Sequence, residues 1–188
     1  MLIDILKTIP DQRRPEGREY YLHHILLFSI SGLLSGSQTY TDLERFMQTH
    51  FEKLKSIFKL KWRRVPHFSA IRKIIIGVCP EDVESAFREF SSEQSEAVPT
   101  SGIRQICFDG KTLKGSFSHV HEKRAFNVFQ AFANYSQIIL AHLCIENKEN
   151  EIPAFHEFLL SLNLKDCVVT ADAMHFQKKT LKRLKRKA

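Results

Sequence analysis

Apolar residues recur at three- and four-residue intervals up to about residue 90, then shift to short alternating or continuous runs from residue 103 onward. The first period predicts helices and the second predicts strands. Residues 2–9 carry the helical spacing, and PDQRRPEGR over 10–18 is a polar loop with two prolines and a glycine. The run 21–34 is the most apolar helix, expected at the centre of an N-terminal bundle and closed by Gly36. Thr41 and Glu44 match a capping box for the next helix, which carries Leu43, Phe46 and Met47 on one side. Residues 51–58 continue helically, 62–67 turn around Pro66, and Ser69 is the expected N-cap of AIRKIIIG, which Gly77 ends. Pro80, Glu81 and Asp82 open a further helix, with proline in its first turn and acids at the positive end of its dipole. Val83, Phe87 and Phe90 line one face of it.

Between Ser91 and Gly102 the chain turns to Ser, Glu, Pro and Gly, which suggests a domain boundary. Beyond it, 103–108, 125–133, 138–145 and 168–171 read as strands, and NYSQ over 134–137 reads as a hairpin turn. Residues 151–162 and those from Met174 onward read as helices. The expectation is an α+β chain: a helical domain over 1–97, then an α/β domain over 103–188 in the order β-β-β-α-β-α.

The chain has 188 residues, is 43% hydrophobic and contains 15 phenylalanines, enough for one ordinary domain or two small ones. Its net charge of +7 matches the excess in the final KKTLKRLKRKA, which holds seven Lys and Arg and no acid. Such a run suits nucleic acid, and equally suits a solvated helix end. A second basic stretch, 53–73, includes Lys61, Arg63 and Arg64, contains no acid, and interleaves Phe58, Trp62, His67 and Phe68. Basic residues among aromatics are what a phosphate-tracking surface shows, so DNA contact is expected there. The alternative is the exposed face of one helix and a loop.

Several classes fall away. The four cysteines lack zinc-ligand spacing, and reduced, buried thiols in a cytoplasmic protein are the simplest reading. No H-x-x-x-H or HExxH occurs among the nine histidines. Residues 25–34 are apolar over only about half the ~20 residues that span a bilayer, so no membrane partner is expected. The N-terminus shows neither a basic start nor a cleavage site for export.

The chemistry concentrates in IRQICFDGKTLKGS, residues 103–116, where an apolar strand is expected to end on Asp109. An acid at the exit of a buried strand costs desolvation energy unless something holds it. Asp172, in CVVTADAMHFQ, follows another short apolar strand. If those two strands are neighbours, joined by a right-handed crossover through the helix 151–162, the carboxylates face each other. Mutual repulsion would then be relieved by a divalent cation, Mg²⁺ or Mn²⁺ by ligand hardness. Two such ions serve phosphodiester chemistry. The alternative is that each Asp caps the turn that follows it. Gly110-Lys111-Thr112 is no P-loop, because position 105 is Gln. Lys111 and Lys114 are instead expected beside the acids, meeting phosphate.

Four ordered segments carry a family resemblance: IPDQRRPEGREYYLHHILLFSISGLLSGSQTYTDLERF, FDGKTLKGS, KENEIPAFHEFL and VVTADAMHFQ. The chain resembles the H-repeat-associated insertion-sequence transposases along essentially its whole length. The resemblance implies a DDE transposase with a ribonuclease-H-like core, two-metal Mg²⁺ chemistry, DNA terminal repeats as partner, and association with other transposase copies. It matches Asp109 and Asp172 to the first and second catalytic acids. Lys148, Asn150, Glu151 and Ile152 match its K-x-N-E-I segment, making Glu151 an accessory acid or a helix-dipole partner. The family pattern also implies a third acid, a Glu on a helix after a further strand, and this chain stops at Ala188 without one. The expectation is a truncated copy with an incomplete core, inactive or weakly active, or else a non-catalytic DNA-binding remnant.

Overall fold

A computed structural model describes residues 1–99, 102–112, 127–145 and 151–172. Among these are seven α-helices and one four-stranded mixed sheet. The chain divides into two compact units, Met1–Ala86 and Phe87–Ala188, and the division falls inside a helix. The expected helix from Met174 onward and the basic run after it lie outside the described residues.

The first unit contains α1 (Leu2–Leu6), a 3₁₀ turn (Pro15–Gly17), α2 (Leu22–Leu34), α3 (Tyr40–Thr49), α4 (Phe51–Phe58), α5 (Phe68–Ile76) and the start of α6 (Pro80–Glu96). As its apolar sequence predicts, α2 is central and packs against α1, α3 and α5. Ile25, Phe28, Met47 and Ile71 are almost wholly withdrawn from water. Burying each such side chain favours folding by about 1.5–3 kcal/mol. Gly36, at φ +95°, ends α2 in a Schellman turn, in which the Ser37 amide donates to Gly32 O at 2.9 Å and the Gly36 amide to Leu33 O at 3.0 Å. Gly32 lets α3 approach: a Cβ there would stand 2.7 Å from Leu43 Cδ2.

Two caps differ from expectation. The capping box of α3 is Thr39 with Asp42, not Thr41 with Glu44. The Asp42 amide donates to Thr39 Oγ1 at 3.1 Å, and the Asp42 carboxylate accepts from the Thr39 amide at 3.0 Å. Glu44 is thereby released to accept from the Phe68 amide at 2.9 Å. At α5 the N-cap is His67 rather than Ser69, and the His67 ring takes the Ser69 amide.

The loop after α1 is polar as predicted and tied down by arginines. Arg13 donates to both carboxylate oxygens of Asp11 and to Tyr20 O, while Arg18 donates to Asp11 O and Arg13 O.

In the second unit the sheet runs β3-β2-β1-β4. Its strands are β1 (Arg104–Thr112), β2 (Asn127–Ala133), β3 (Ile138–Ile145) and β4 (Cys167–Thr170). The first three form an antiparallel meander, and β4 joins β1 in parallel after α7 (Glu151–Ser161). Asn134–Gln137 is the β2–β3 turn, with Gln137 left-handed at φ 57°. Alternation along the strands sends Ile106, Phe108, Phe129 and Ala131 to one face, where Phe155, Phe158 and Leu159 of α7 cover them.

The expected end of β1 at Asp109 is corrected: the strand runs on to Thr112, pairing Gly110 with Phe129 and Lys111 with Val128. Gly110 reads as a turn residue but serves as a site of close approach, since a Cβ on it would meet the Phe129 ring at 2.9 Å. The polar stretch from Ser91 also conceals structure. Helix α6 continues through it to Glu96 and buries Ser91 and Ser95.

Among the described residues no helix is long and apolar enough to cross a membrane.

Candidate functional site

The parallel ladder of β1 and β4 pairs Arg104 with Cys167 and ends at Cys107 with Thr170. Counting two residues onward reaches Asp109 within β1 and, on the other side, Asp172, two residues past the end of β4. Ile106 and Phe108 are buried under α7, so strand alternation turns Cys107 and Asp109 to the opposite face. On the other chain segment Val169 and Ala171 pack against that same core, and Asp172 is exposed. Asp172 lies just past the end of β4 at Thr170, and the register, if continued that far, would set it beside Asp109.

Asp109 also faces Gln130 across β2, and Gln130 faces His142 on β3. Lys111 lies two residues beyond Asp109 on the same strand and is exposed. Lys114, Lys148 and Asn150 lie outside the described residues. Glu151 is the first residue of α7.

Two carboxylates offer the hard oxygen donors that suit Mg²⁺ or Mn²⁺. Such an ion would complete its shell with water and substrate oxygens. Among the described residues no group of three or more His, Cys, Asp or Glu side chains clusters as a metal site. Asp109 and Asp172 are both exposed and are oxygen donors of the kind such an ion takes.

In the helical unit the basic segment splits. Trp62 is not interleaved on the surface as expected: it is 3% exposed and packs edge-on against Tyr20 at 5.0 Å and Phe28 at 5.7 Å. Burying its ring inward turns Lys61, Arg63 and Arg64 out to solvent. Arg63 and Arg64 line an open groove of about 760 Å³ together with Glu19, Glu44, Phe51 and His67. Sequence reasoning missed the acids of this groove, because they arrive from before and within α3 rather than from the basic segment. Glu44 is held there by the Gln48 amide at 3.0 Å and the Phe68 N–H.

His24 is 8% exposed amid Tyr21, Phe28, Phe58 and Trp62. Burial, with smaller contributions from His23 and Lys7, lowers its pKa to about 4. No sequence motif marks it.

A family model described as DDE_Tnp_1-associated matches residues 3–91. The chain is 30% identical to "Putative transposase YncI" of Escherichia coli strain K12 over 99% of its own length and 73% of that protein. It is 29% identical to "H repeat-associated putative transposase YhhI" of the same strain over 94% of its length. The related "H repeat-associated putative transposase YbfD" is 28% identical over 94% of this chain and 68% of its own length. The chain spans about half the length of YhhI, 46%. No solved structure matches.

Proposed function

Because this chain belongs to the H-repeat-associated transposase family, we propose that it carries part of a DDE-type, metal-dependent DNA strand-cleavage and strand-transfer site on a ribonuclease-H-like sheet. The observation that carries this reading is the parallel β1–β4 ladder, whose register, continued two residues past its last pair, would bring Asp109 and Asp172 side by side. The order β3-β2-β1-β4, with a meander followed by a helical crossover into a parallel strand, supports the ribonuclease-H-like assignment.

In this reading Asp109 and Asp172 hold Mg²⁺ or Mn²⁺, which when bound lowers the pKa of water for attack on a phosphodiester and neutralises the leaving oxygen. Without the ion, two neighbouring carboxylates repel each other and the anionic backbone. Lys111 meets a neighbouring phosphate and orients the strand, and Lys114 belongs to the same role. Glu151, at the first turn of α7, acts as an accessory acid or complements that helix's dipole. The DNA is that of the element's terminal repeats, and other transposase copies are partners. The setting is cytoplasmic, in keeping with cysteines that form no disulfide, although none is buried as expected: Cys79, Cys107 and Cys167 are half-buried and Cys144 is exposed.

The test is Mg²⁺-dependent nicking of terminal-repeat DNA. Loss of any nicking in both Asp109→Asn and Asp172→Asn supports the assignment, and nicking unchanged by them overturns it.

A second reading is a DNA-binding protein that does not cleave. The exposed Lys61, Arg63 and Arg64 in the helical unit favour it. Salt-dependent DNA affinity with no nicking in Mg²⁺ or Mn²⁺ selects this reading.

A further inference from the structure

The second unit holds a smaller pocket at the end of the sheet where β1 begins, away from Asp109. It encloses about 210 Å³ between the later turns of α6, the start of β1, the β2–β3 turn and the end of α7. That is below the ~300 Å³ at which sites for drug-sized ligands begin, so it suits a small group rather than a whole cofactor.

Its walls are rich in donors. Arg104 Nη2 donates to the Tyr135 hydroxyl at 3.1 Å, and Ser95 Oγ donates to the same oxygen at 2.9 Å. Tyr135 therefore receives two hydrogen bonds and keeps its own hydroxyl hydrogen to give. Arg104 Nε is buried with no hydrogen-bond partner. Arg88, which also lines the pocket, is fixed by Ser161 Oγ at 3.0 Å and His142 O at 3.1 Å, and brings a second guanidinium charge. Glu96 supplies the acid in the wall, with one oxygen taken by Ser92 at 3.1 Å.

We propose that this pocket, built from Arg88, Arg104, Tyr135, Ser95 and Glu96, binds a phosphate group that retains an acidic O–H, as hydrogen phosphate does. Two guanidinium groups from different elements match an oxyanion in charge and geometry. Donors arriving from a helix, a strand and a turn suit a tetrahedral anion better than a planar carboxylate. Glu96 sets the discrimination. A carboxylate in the wall repels a fully deprotonated anion but accepts a hydrogen bond from one that keeps a proton. At neutral pH phosphate keeps one and sulfate does not. The site is separate from the Asp109–Asp172 pair and does not rest on the proposed cleavage.

The experiment is a titration of the full chain with inorganic phosphate and with sulfate at matched ionic strength. Binding is followed by phosphorus NMR line width and by chemical shifts of the Arg104 and Tyr135 amides. Phosphate is expected to bind at least about tenfold more tightly than sulfate, a difference of about 1.4 kcal/mol. Arg104→Gln should abolish binding. Glu96→Gln, at an exposed position on α6 that leaves the fold intact, should bring the two anions to within about twofold of each other. Equal affinities in the unaltered chain, or a phosphate preference untouched by Glu96→Gln, would overturn the proposal. A 5′-phosphorylated dinucleotide at about pH 5.5, where its phosphomonoester keeps one O–H, run beside its 5′-hydroxyl counterpart identifies the source. Binding of the phosphorylated form alone indicates a nucleic-acid end, and binding of inorganic phosphate but neither dinucleotide indicates the free ion. If neither inorganic phosphate nor the 5′-phosphorylated dinucleotide binds, the proposal fails.

Discussion

Asp109 and Asp172 each follow by two residues the last pair of one parallel ladder, Cys107 with Thr170, on a sheet whose other face is sealed by α7. Both are exposed, so neither supports the core. Asp109→Asn and Asp172→Asn should each weaken Mn²⁺ or Mg²⁺ binding about tenfold or more, since loss of even an outer partner costs that much at many metal sites. Stability without metal should change by less than about 0.5 kcal/mol, as for other surface substitutions. Titration calorimetry of the full chain checks the first and urea unfolding the second. Identical metal heats in all three proteins would count against a shared site.

Much of the sheet beneath these acids was legible in the sequence, and the limits have physical causes. The partial alternation within 127–133 and the helical spacing from Glu151 are strong signals because period and burial agree there. Asp109 was misread as a strand terminus because Gly110 signals a turn in isolation. Only the antiparallel partner β2, with Phe129 lying over that glycine, reveals a strand residue. Thr41–Glu44 and Thr39–Asp42 satisfy the same cap spacing, and the hydrogen bonds alone choose between them. A tryptophan between lysine and arginine can face either way, and the Tyr20 and Phe28 rings that turn Trp62 inward are distant in sequence.

The exposed cations beside Trp62 make a second prediction. Replacing Arg63 and Arg64 together with Ala should lower DNA affinity for any sequence and reduce the slope of log K against log salt by about 1 to 2, as expected for up to two phosphate contacts. Fluorescence anisotropy across a salt series measures it. An unchanged slope would remove these residues from the interface. Their groove also holds Glu19 and Glu44, so Glu44→Gln should tighten binding if phosphate passes through it.

Asp11 links acid stability to the loop before α2. The Arg13 guanidinium holds its carboxyl below the usual value of 3.8, chiefly through the side-chain hydrogen bond, against a smaller opposing effect of burial. A depressed carboxylate contributes stability that is complete above the unfolded pKa and disappears as pH falls through the lower folded value. Asp11→Asn should cost about 1.5–3 kcal/mol at pH 7, the range for hydrogen bonds to charged groups. It should also flatten the stability profile below pH 4. Denaturant unfolding from pH 7 down to pH 3 tests both. A parallel offset between the two proteins at every pH would mean that the pair does not titrate with folding.

His24 acts in a higher window. Burial in its aromatic surroundings lowers its pKa from 6.5 to about 4, so the folded protein keeps the imidazole neutral while the unfolded chain takes up a proton. The unfolded state binds more protons between these values, and stability therefore falls as pH drops from 6.5 toward 4. The loss is on the order of 3 kcal/mol. His24→Phe keeps a ring among Phe28, Phe58 and Trp62 and has no proton to bind, and it also removes an Nδ1 that is buried without a partner. The variant should match or exceed the parent at pH 7.5 and exceed it by a wider margin at pH 5. A residual slope should persist from His23, whose pKa is also lowered by burial and by Lys7. Urea midpoints at the two pH values decide the matter: an equal fall in both proteins would mean that His24 takes up its proton without loss of the fold.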